Sequence, residues 1–286
     1  MSLLPRYSSL IRKQSGAELL SVSRVSGGSI NCCLCLESSK GLFFLKENSA
    51  QAFPGMFEAE KKGLDLLKAT TVFRVPAVYS ITEENGFSML LMEWLEKMPD
   101  EKKDWRDAGQ KLAQLHKNTS AAFGLNHDNY IGSLPQSNTP HATWADFFAQ
   151  ERILPQLKLA NDEHKIDQSL LRKGERFCSM LKELFPAEAP SLLHGDLWSG
   201  NFFFSTNGPA LFDPAVYYGH REMDLAMTKL FGGFDPQLYE GYEEEFPLEK
   251  KWKDRTDFCN LYPLLVHVNL FGGGYVEDVK SILKGF

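Results

Sequence analysis

The chain has 286 residues, 43% hydrophobic and 24% charged, with 31 Lys and Arg against 37 Asp and Glu for a net charge of −6. That is the composition of a soluble globular protein large enough for two lobes, and its acidic balance argues against nucleic acid as a partner while suiting a cationic one. No apolar run approaches the roughly 20 residues of a membrane span, residues 1–14 carry no signal-peptide core, and five cysteines without regular spacing predict a reduced, cytoplasmic chain rather than a disulfide framework.

Residues 2–14 fit a short leading helix. Val22 to Asn31 then runs into Cys32 to Glu37 with Gly27-Gly28 in the middle, the pattern of two strands joined at a glycine turn. Glycines at such a turn let backbone amides approach phosphate oxygens, and Ser29 follows them directly. An ordinary turn is the competing reading. Cys32, Cys33 and Cys35 alternate across the next strand with no matching Cys or His pair close by in sequence, so they read as small apolar fillers rather than metal ligands. Gly41 to Lys46 is an apolar strand ending in lysine. Met56 to Ala69 has helical periodicity, with Phe57, Leu64 and Leu67 on one face. Glu60 falls three after Phe57 and four before Leu64, so it shares that face, while Glu58 points to solvent. A glutamate on a buried face needs a cation, which predicts a Lys46–Glu60 pair.

Arg74 to Thr82 and Phe87 to Met92 read as two further strands around a turn at Glu83-Glu84-Asn85-Gly86. The order is therefore three strands, a helix and two strands. Helices dominate the remainder. Trp105 to Asn118 carries an apolar stripe bordered by His116, read as structural. Thr143-Trp-Ala-Asp146 resembles a capping box with Asp in place of Glu, and Leu170 to Phe185 is amphipathic. Between the first two of these segments, Phe123 to Gly132 is a loop whose Asp128 and Asn129 either bind a polar acceptor or close local Asx turns.

Ser191 to Pro214 holds the densest chemistry. Asp196 and Asn201 lie on a tight glycine-containing loop, and Asn207-Gly208 between two apolar runs predicts a hairpin. Asn201 precedes its first strand and Asp213 follows its second, so the closed hairpin brings them side by side with Asp196 nearby. Mg²⁺ takes oxygen ligands and usually one or two carboxylates. A further carboxylate off the metal can accept the proton of an attacking hydroxyl. Asn201 and Asp213 fit the first task and Asp196 the second. Asp224, at the head of an apolar run, reads as a helix cap or as a support for this loop.

His194-Gly195-Asp196, Asn201 and Asp213-Pro214 resemble the kinase-like phosphotransferases of the aminoglycoside and choline kinase superfamily. The longer strings Leu193 to Asn201 and Phe212 to Met227 resemble the fructosamine kinase, or ketosamine 3-kinase, family. The resemblance runs along nearly the whole chain. It implies an α+β, bilobal protein-kinase-like fold, with a small antiparallel-sheet lobe over residues 1–95, a hinge near 93–98 and a larger, mostly helical lobe over 96–286. It implies ATP and Mg²⁺ as cofactors and a ketosamine, free or on a protein lysine, as the phosphoryl acceptor at its 3-hydroxyl, which leads to deglycation. Gly27, Gly28, Ser29 and Lys46, the last held by Glu60, would meet the phosphates, and the backbone of Met92, Glu93, Trp94 and Leu95 the adenine. Trp198 would stack on the acceptor or pack beneath the loop. His267 matches a position facing the acceptor pocket, with a structural histidine as the competing reading. No Ala-Pro-Glu motif or long activation segment is present, which disfavours a regulated protein kinase. Two other readings remain in view. A kinase of another amino-alcohol or aminoglycoside would share the catalytic residues. An inactive nucleotide-binding scaffold is disfavoured because every expected chemical residue is present.

Overall fold

In the computed structural model, which describes residues 4–25, 30–99 and 103–286, the first half of the fold is a five-stranded antiparallel sheet. Helix α1 (Leu4–Ser15) leads into β1 (Leu19–Arg24), β2 (Cys32–Ser38) and β3 (Gly41–Ser49); α2 (Met56–Ala69) follows, then β4 (Val78–Glu84) and β5 (Phe87–Glu93). The succession along the chain is the expected one, and the spatial order is β1-β2-β3-β5-β4. Lys46 lies on the central strand β3, opposite Cys33 of β2 and Leu90 of β5. The Gly27-Gly28-Ser29 segment lies outside the described residues. Cys32 is exposed and Cys33 and Cys35 are half-buried, all three as free thiols, and among the described residues no group of three or more His, Cys, Asp and Glu could hold a metal ion.

The sheet buries both faces. On one, Tyr7, Leu10 and Ile11 of α1 cover Leu36, Leu45 and Leu91. On the other, Phe57, Leu64 and Leu67 of α2 join Leu90 and Met92 in a cluster that continues into Leu192, Leu197 and Phe202 of the second half. That shared cluster ties sheet to catalytic loop. It is reinforced where Met98 N–H donates to Phe204 O at 2.7 Å and Thr206 N–H to Glu96 O at 3.1 Å.

The second half is mainly helical: α3 (Trp105–His116), α5 (Leu154–Asp162), α6 (Gln168–Leu184), α7 (Glu222–Leu230), α8 (Pro236–Glu245), α9 (Thr256–Phe271) and α10 (Tyr275–Ile282). Helices α3 and α8 cross at two glycines. A Cβ on Gly109 would lie 1.9 Å from Leu238 O, and one on Gly241 2.1 Å from Arg106 O, so only hydrogen permits this approach. Thr143 caps α4 (Trp144–Phe147) by accepting from Asp146 N–H at 3.1 Å. That helix then widens into a π-helix, Phe148–Ile153, which the periodicity does not signal. The π-turn holds Arg152 fully buried, its guanidinium 4.1 Å from the Tyr217 ring and 4.6 Å from Phe147. Ring faces, the Ser137 main-chain carbonyl and the Asn138 side-chain oxygen solvate this cation in place of water.

Among the described residues three short pairs complete the scaffold, and all three matter for the site: β6 (Asn129–Ile131) with β7 (Leu134–Gln136), β8 (Ser191–Leu193) with β11 (Tyr217–Gly219), and β9 (Phe202–Ser205) with β10 (Gly208–Leu211). The predicted hairpin is the last of these, closing on Thr206-Asn207 with Gly208 already in the strand.

Candidate active site

The loop between β8 and β9 is fixed from beneath. Gly195 has φ +82°, and a Cβ there would lie 2.1 Å from Ala215 O, so a side chain is excluded both by backbone conformation and by space. His194 is fully buried. Its Nε2 lies 3.1 Å from Phe212 O and its Nδ1 accepts from Asp196 N–H at 3.3 Å, so Nε2 carries the proton and donates to the carbonyl. Burial lowers the His194 pKa and keeps the ring neutral. One imidazole thereby ties the start of the loop to the end of the hairpin.

Asp224, 1% exposed on α7, holds the same loop. Its carboxylate accepts from His194 N–H at 2.8 Å and Gly195 N–H at 3.0 Å, and His116 Nε2 lies 3.2 Å away. Burial alone would raise its pKa, but the His116 hydrogen bond, the nearby imidazoles and the Gly195 N–H outweigh it and hold it low. Of the two readings of Asp224, the structure gives the support: α7 starts at Glu222 without a side-chain cap, and Asp224 lies inside it. His116, as expected, is structural, with Nδ1 2.8 Å from the Tyr242 hydroxyl.

On this base the acidic residues converge. Phe212 N–H donates to Asn201 O, closing the hairpin's open end. The Asn201 amide nitrogen donates to Asp196 O at 2.9 Å and Asp196 Oδ2 at 3.0 Å. That orients the amide and leaves its oxygen as the free acceptor. Asp213 takes a left-handed backbone, φ 56°, which Asp tolerates better than most residues. Its Oδ1 lies 2.7 Å from Lys46 Nζ, and Glu60 Oε1 lies 2.7 Å from the same nitrogen. Lys46 is 2% exposed; burial pulls its ammonium toward neutrality, but Asp213 and Glu60 outweigh this and raise its pKa. Asp196 is pushed up to about 7 by burial and by the charges of Asp213 and Asp224, against the Asn201 hydrogen bond and Lys46.

Asp196, Asn201, Asp213 and Glu60 line one end of a cavity of about 480 Å³, and Trp198, Phe231, His267, Phe271 and Tyr275 line another part of it. The donor set suits a hard cation: one amide oxygen and a carboxylate, with room for phosphate and water oxygens.

Other predicted residues fall differently. Asp128 is exposed and lies off this lining. Its carboxylate accepts from Asn138 N–H at 2.8 Å, a bond to a residue ten positions on rather than a local Asx turn. Asn129 borders the cavity, but its amide is already used: the nitrogen donates to Val216 O at 2.8 Å, and the oxygen accepts from Gln136 at 2.7 Å and Asn138 at 3.0 Å. It anchors the strand after Asp213 rather than presenting a free group. Met92, Glu93, Trp94 and Leu95 lie outside this lining. Met92 is buried in β5, Glu93 pairs with Arg74 and accepts from Ala77 N–H, and the Trp94 ring tilts onto Phe44. Trp198 and His267 line the cavity. Sequence reasoning missed Gln136, Phe231, Phe271 and Tyr275. The only local hint was two aromatics flanking Gly272-Gly273-Gly274.

A family model for fructosamine kinases matches residues 4–286. A “Probable ketoamine kinase” of Enterococcus faecium is 42% identical over 265 residues, covering 92% of this chain and 94% of that one. A chloroplastic protein-ribulosamine 3-kinase of Arabidopsis thaliana is 36% identical over 283 residues, covering 97% and 86%. A crystal structure assigned as a fructosamine-3-kinase from Thermobifida fusca superposes with a TM-score of 0.87 at 34% identity, covering 97% of this chain and 96% of that one. The α+β architecture is that of the protein-kinase-like phosphotransferases.

Proposed function

The chain belongs to the fructosamine kinase family and is an ATP-dependent kinase, and on that premise we propose that it phosphorylates the 3-hydroxyl of ketosamines, free or on protein lysines. The observation that carries this reading is the convergence of Asp196, Asn201 and Asp213 beside the Lys46–Glu60 pair, in a cavity that aromatic side chains also line. Asp196 orients the sugar hydroxyl and takes its proton as the oxygen bonds to the γ-phosphorus and the bond to ADP breaks. A base with a pKa near 7 in the free chain is matched to that task. The Asn201 oxygen and the Asp213 carboxylate would hold Mg²⁺, which, when bound, offsets charge on the phosphates. Lys46, steered by Glu60, meets the phosphates, helped by backbone amides at Gly27, Gly28 and Ser29. The backbone of Met92 to Leu95 reads the adenine. Trp198 and His267 face the acceptor.

In this reading residues 1–95 are the nucleotide lobe and 96–286 the catalytic and acceptor lobe. The phosphate on C3 lies next to the C2 carbonyl, so it is eliminated as inorganic phosphate through the C1–C2 enol, and water then cleaves the C1–N bond, which frees the amine and leaves a deoxy-dicarbonyl sugar. No helix among the described residues is long and apolar enough to cross a membrane, and we place the reaction in the cytoplasm. The test is to incubate the protein with ATP, Mg²⁺ and ribulose-lysine or fructose-lysine, and to locate the phosphate by phosphorus–proton correlation NMR while following release of free lysine. A 3-phosphate followed by lysine release supports the reading. Phosphate on another hydroxyl, or a stable adduct, overturns it.

A further inference from the structure

The catalytic reading uses the acidic end of the cavity and points Trp198 and His267 at the acceptor, but it gives Phe231, Phe271 and Tyr275 no task and does not say which part of the acceptor the aromatic wall meets. Trp198 comes from the catalytic loop, two residues after Asp196, and its ring meets the edge of Phe231 at 6.3 Å. Phe231 follows the end of α7 and lies 5.1 Å from the His267 ring. His267 in turn lies 5.5 Å from Phe271 and 4.9 Å from Tyr275. The turn through Gly272 and Gly273, with φ of 65° and 67°, reverses the chain so that the first residue of α10 returns against the last turns of α9. The result is a continuous aromatic path from the catalytic loop to the surface. Its outer members are open: Phe231 is 42% exposed and Phe271 56%. Large exposed aromatics bordering a cavity mark contact surface more often than chance decoration.

The polarity of His267 fits the same use. Its Nδ1 lies 2.7 Å from Pro263 O; a carbonyl only accepts, so Nδ1 carries the proton and Nε2 is left as an acceptor. Burial lowers the His267 pKa, which favours that neutral ring.

We propose that the path Phe231–His267–Phe271–Tyr275 is the subsite for the nitrogen substituent of the acceptor: it binds the protonated secondary amine and leads the attached alkyl chain out across Phe271. The inference rests on the ketosamine reading and deepens it. The reacting hydroxyl must lie at Asp196. The amine is two carbons away along the sugar, and its substituent is the part that must leave the cavity. Ring faces attract the ammonium and cover the methylenes of a lysine chain, while the His267 Nε2 can accept an ammonium N–H. Selection for an amine-bearing ketose thus lies in these four side chains, and selection for its hydroxyl geometry at Asp196.

The test compares two adducts of one ketose, a long one on Nα-acetyl-lysine and a short one on methylamine, with Phe271→Ala, Phe271→Trp and Phe231→Ala. Phe271 is exposed, so its replacement leaves the fold intact, which a thermal melt verifies. Phe271→Ala should raise KM for the lysine adduct about tenfold, leave kcat within about twofold and leave the methylamine adduct within about twofold, with Phe271→Trp restoring the lysine adduct. Phe231→Ala, nearer the amine, should raise KM for both. Unchanged KM in both alanine variants, or an equal fall in kcat for both adducts, overturns the assignment while leaving the proposed reaction standing. If the unaltered protein turns over neither adduct, the proposed reaction fails and this subsite falls with it.

Discussion

Replacing Asp224 by Asn tests how the catalytic loop is held. The carboxylate accepts from His194 N–H at 2.8 Å and Gly195 N–H at 3.0 Å, with His116 Nε2 at 3.2 Å, all in a region where Asp224 is 1% exposed. Asn keeps the shape but offers one acceptor oxygen and turns an NH₂ toward groups that are themselves donors. At least one buried N–H then loses its partner. A hydrogen bond to a charged group is worth about 1.5–3 kcal/mol, and an unmet buried donor costs about 1–3 kcal/mol. A loss of about 3 kcal/mol is therefore expected, a large share of a typical 5–15 kcal/mol. Because the Asp224 pKa is depressed in the fold, its contribution is fully present above the unfolded carboxylate value and is lost as pH falls through the lower folded one. The variant should lose that part of the acid dependence. Urea unfolding at pH 7 and pH 4 measures both effects. The second consequence is catalytic: the loop that aims Asp196 loosens, so kcat should fall about a hundredfold while nucleotide affinity, which the proposed mechanism assigns to Lys46, changes little. A variant that loses less than about 0.5 kcal/mol, or that loses stability yet keeps its kcat, refutes the claim that Asp224 positions the loop.

With Asp196 as the proposed base, its pKa of about 7 predicts that kcat/KM falls as pH drops below neutrality, since the base must be ionised. The same raised value means that the fold favours the protonated acid and loses that stabilisation as pH rises through 7. Asp196→Asn should therefore melt higher than the unaltered protein at pH 8 without ligands, and an unchanged or lower melting temperature counts against the burial argument. Asn129→Ala should cost about 2 kcal/mol in chemical unfolding by freeing Val216 O and the Gln136 and Asn138 amides, with the ketosamine KM of the folded fraction unchanged; a selective rise in KM would restore Asn129 as a sugar ligand. Gly109→Ala places a methyl 1.9 Å from Leu238 O and should destabilise by at least about 3 kcal/mol; wild-type stability would show that the α3–α8 crossing yields.

The parts of the site that were legible in the sequence are those whose geometry is local. The hairpin from Phe202 to Leu211 brings Asn201 and Asp213 together because antiparallel strands joined by a tight turn must return to their starting point. Lys46 and Glu60 were predictable as a pair because strand position and helical period each put one of them inside. What could not be read depends on distant partners. Asp224 meets His116 from 108 residues away, and nothing in the local pattern distinguishes that carboxylate from a helix cap. Asn129 has the residue type of a sugar ligand, and only the fold reveals that Val216, Gln136 and Asn138 already use its amide. The π-turn at Phe148–Ile153 escaped because its apolar residues fit an ordinary helical stripe, whereas the buried Arg152 that it carries violates that pattern. The aromatic path joins the ends of α7 and α9, which no sequence window spans.

The most direct measurement is ATP consumption with Mg²⁺ across a panel of erythrulose-, ribulose- and fructose-lysine, an aminoglycoside and choline, with Asp196→Asn alongside. The account predicts ketosamine-dependent turnover that falls about 10²- to 10⁴-fold in Asp196→Asn and little activity on the other acceptors. Turnover confined to the aminoglycoside or choline, or ketosamine turnover that survives Asp196→Asn, would contradict it.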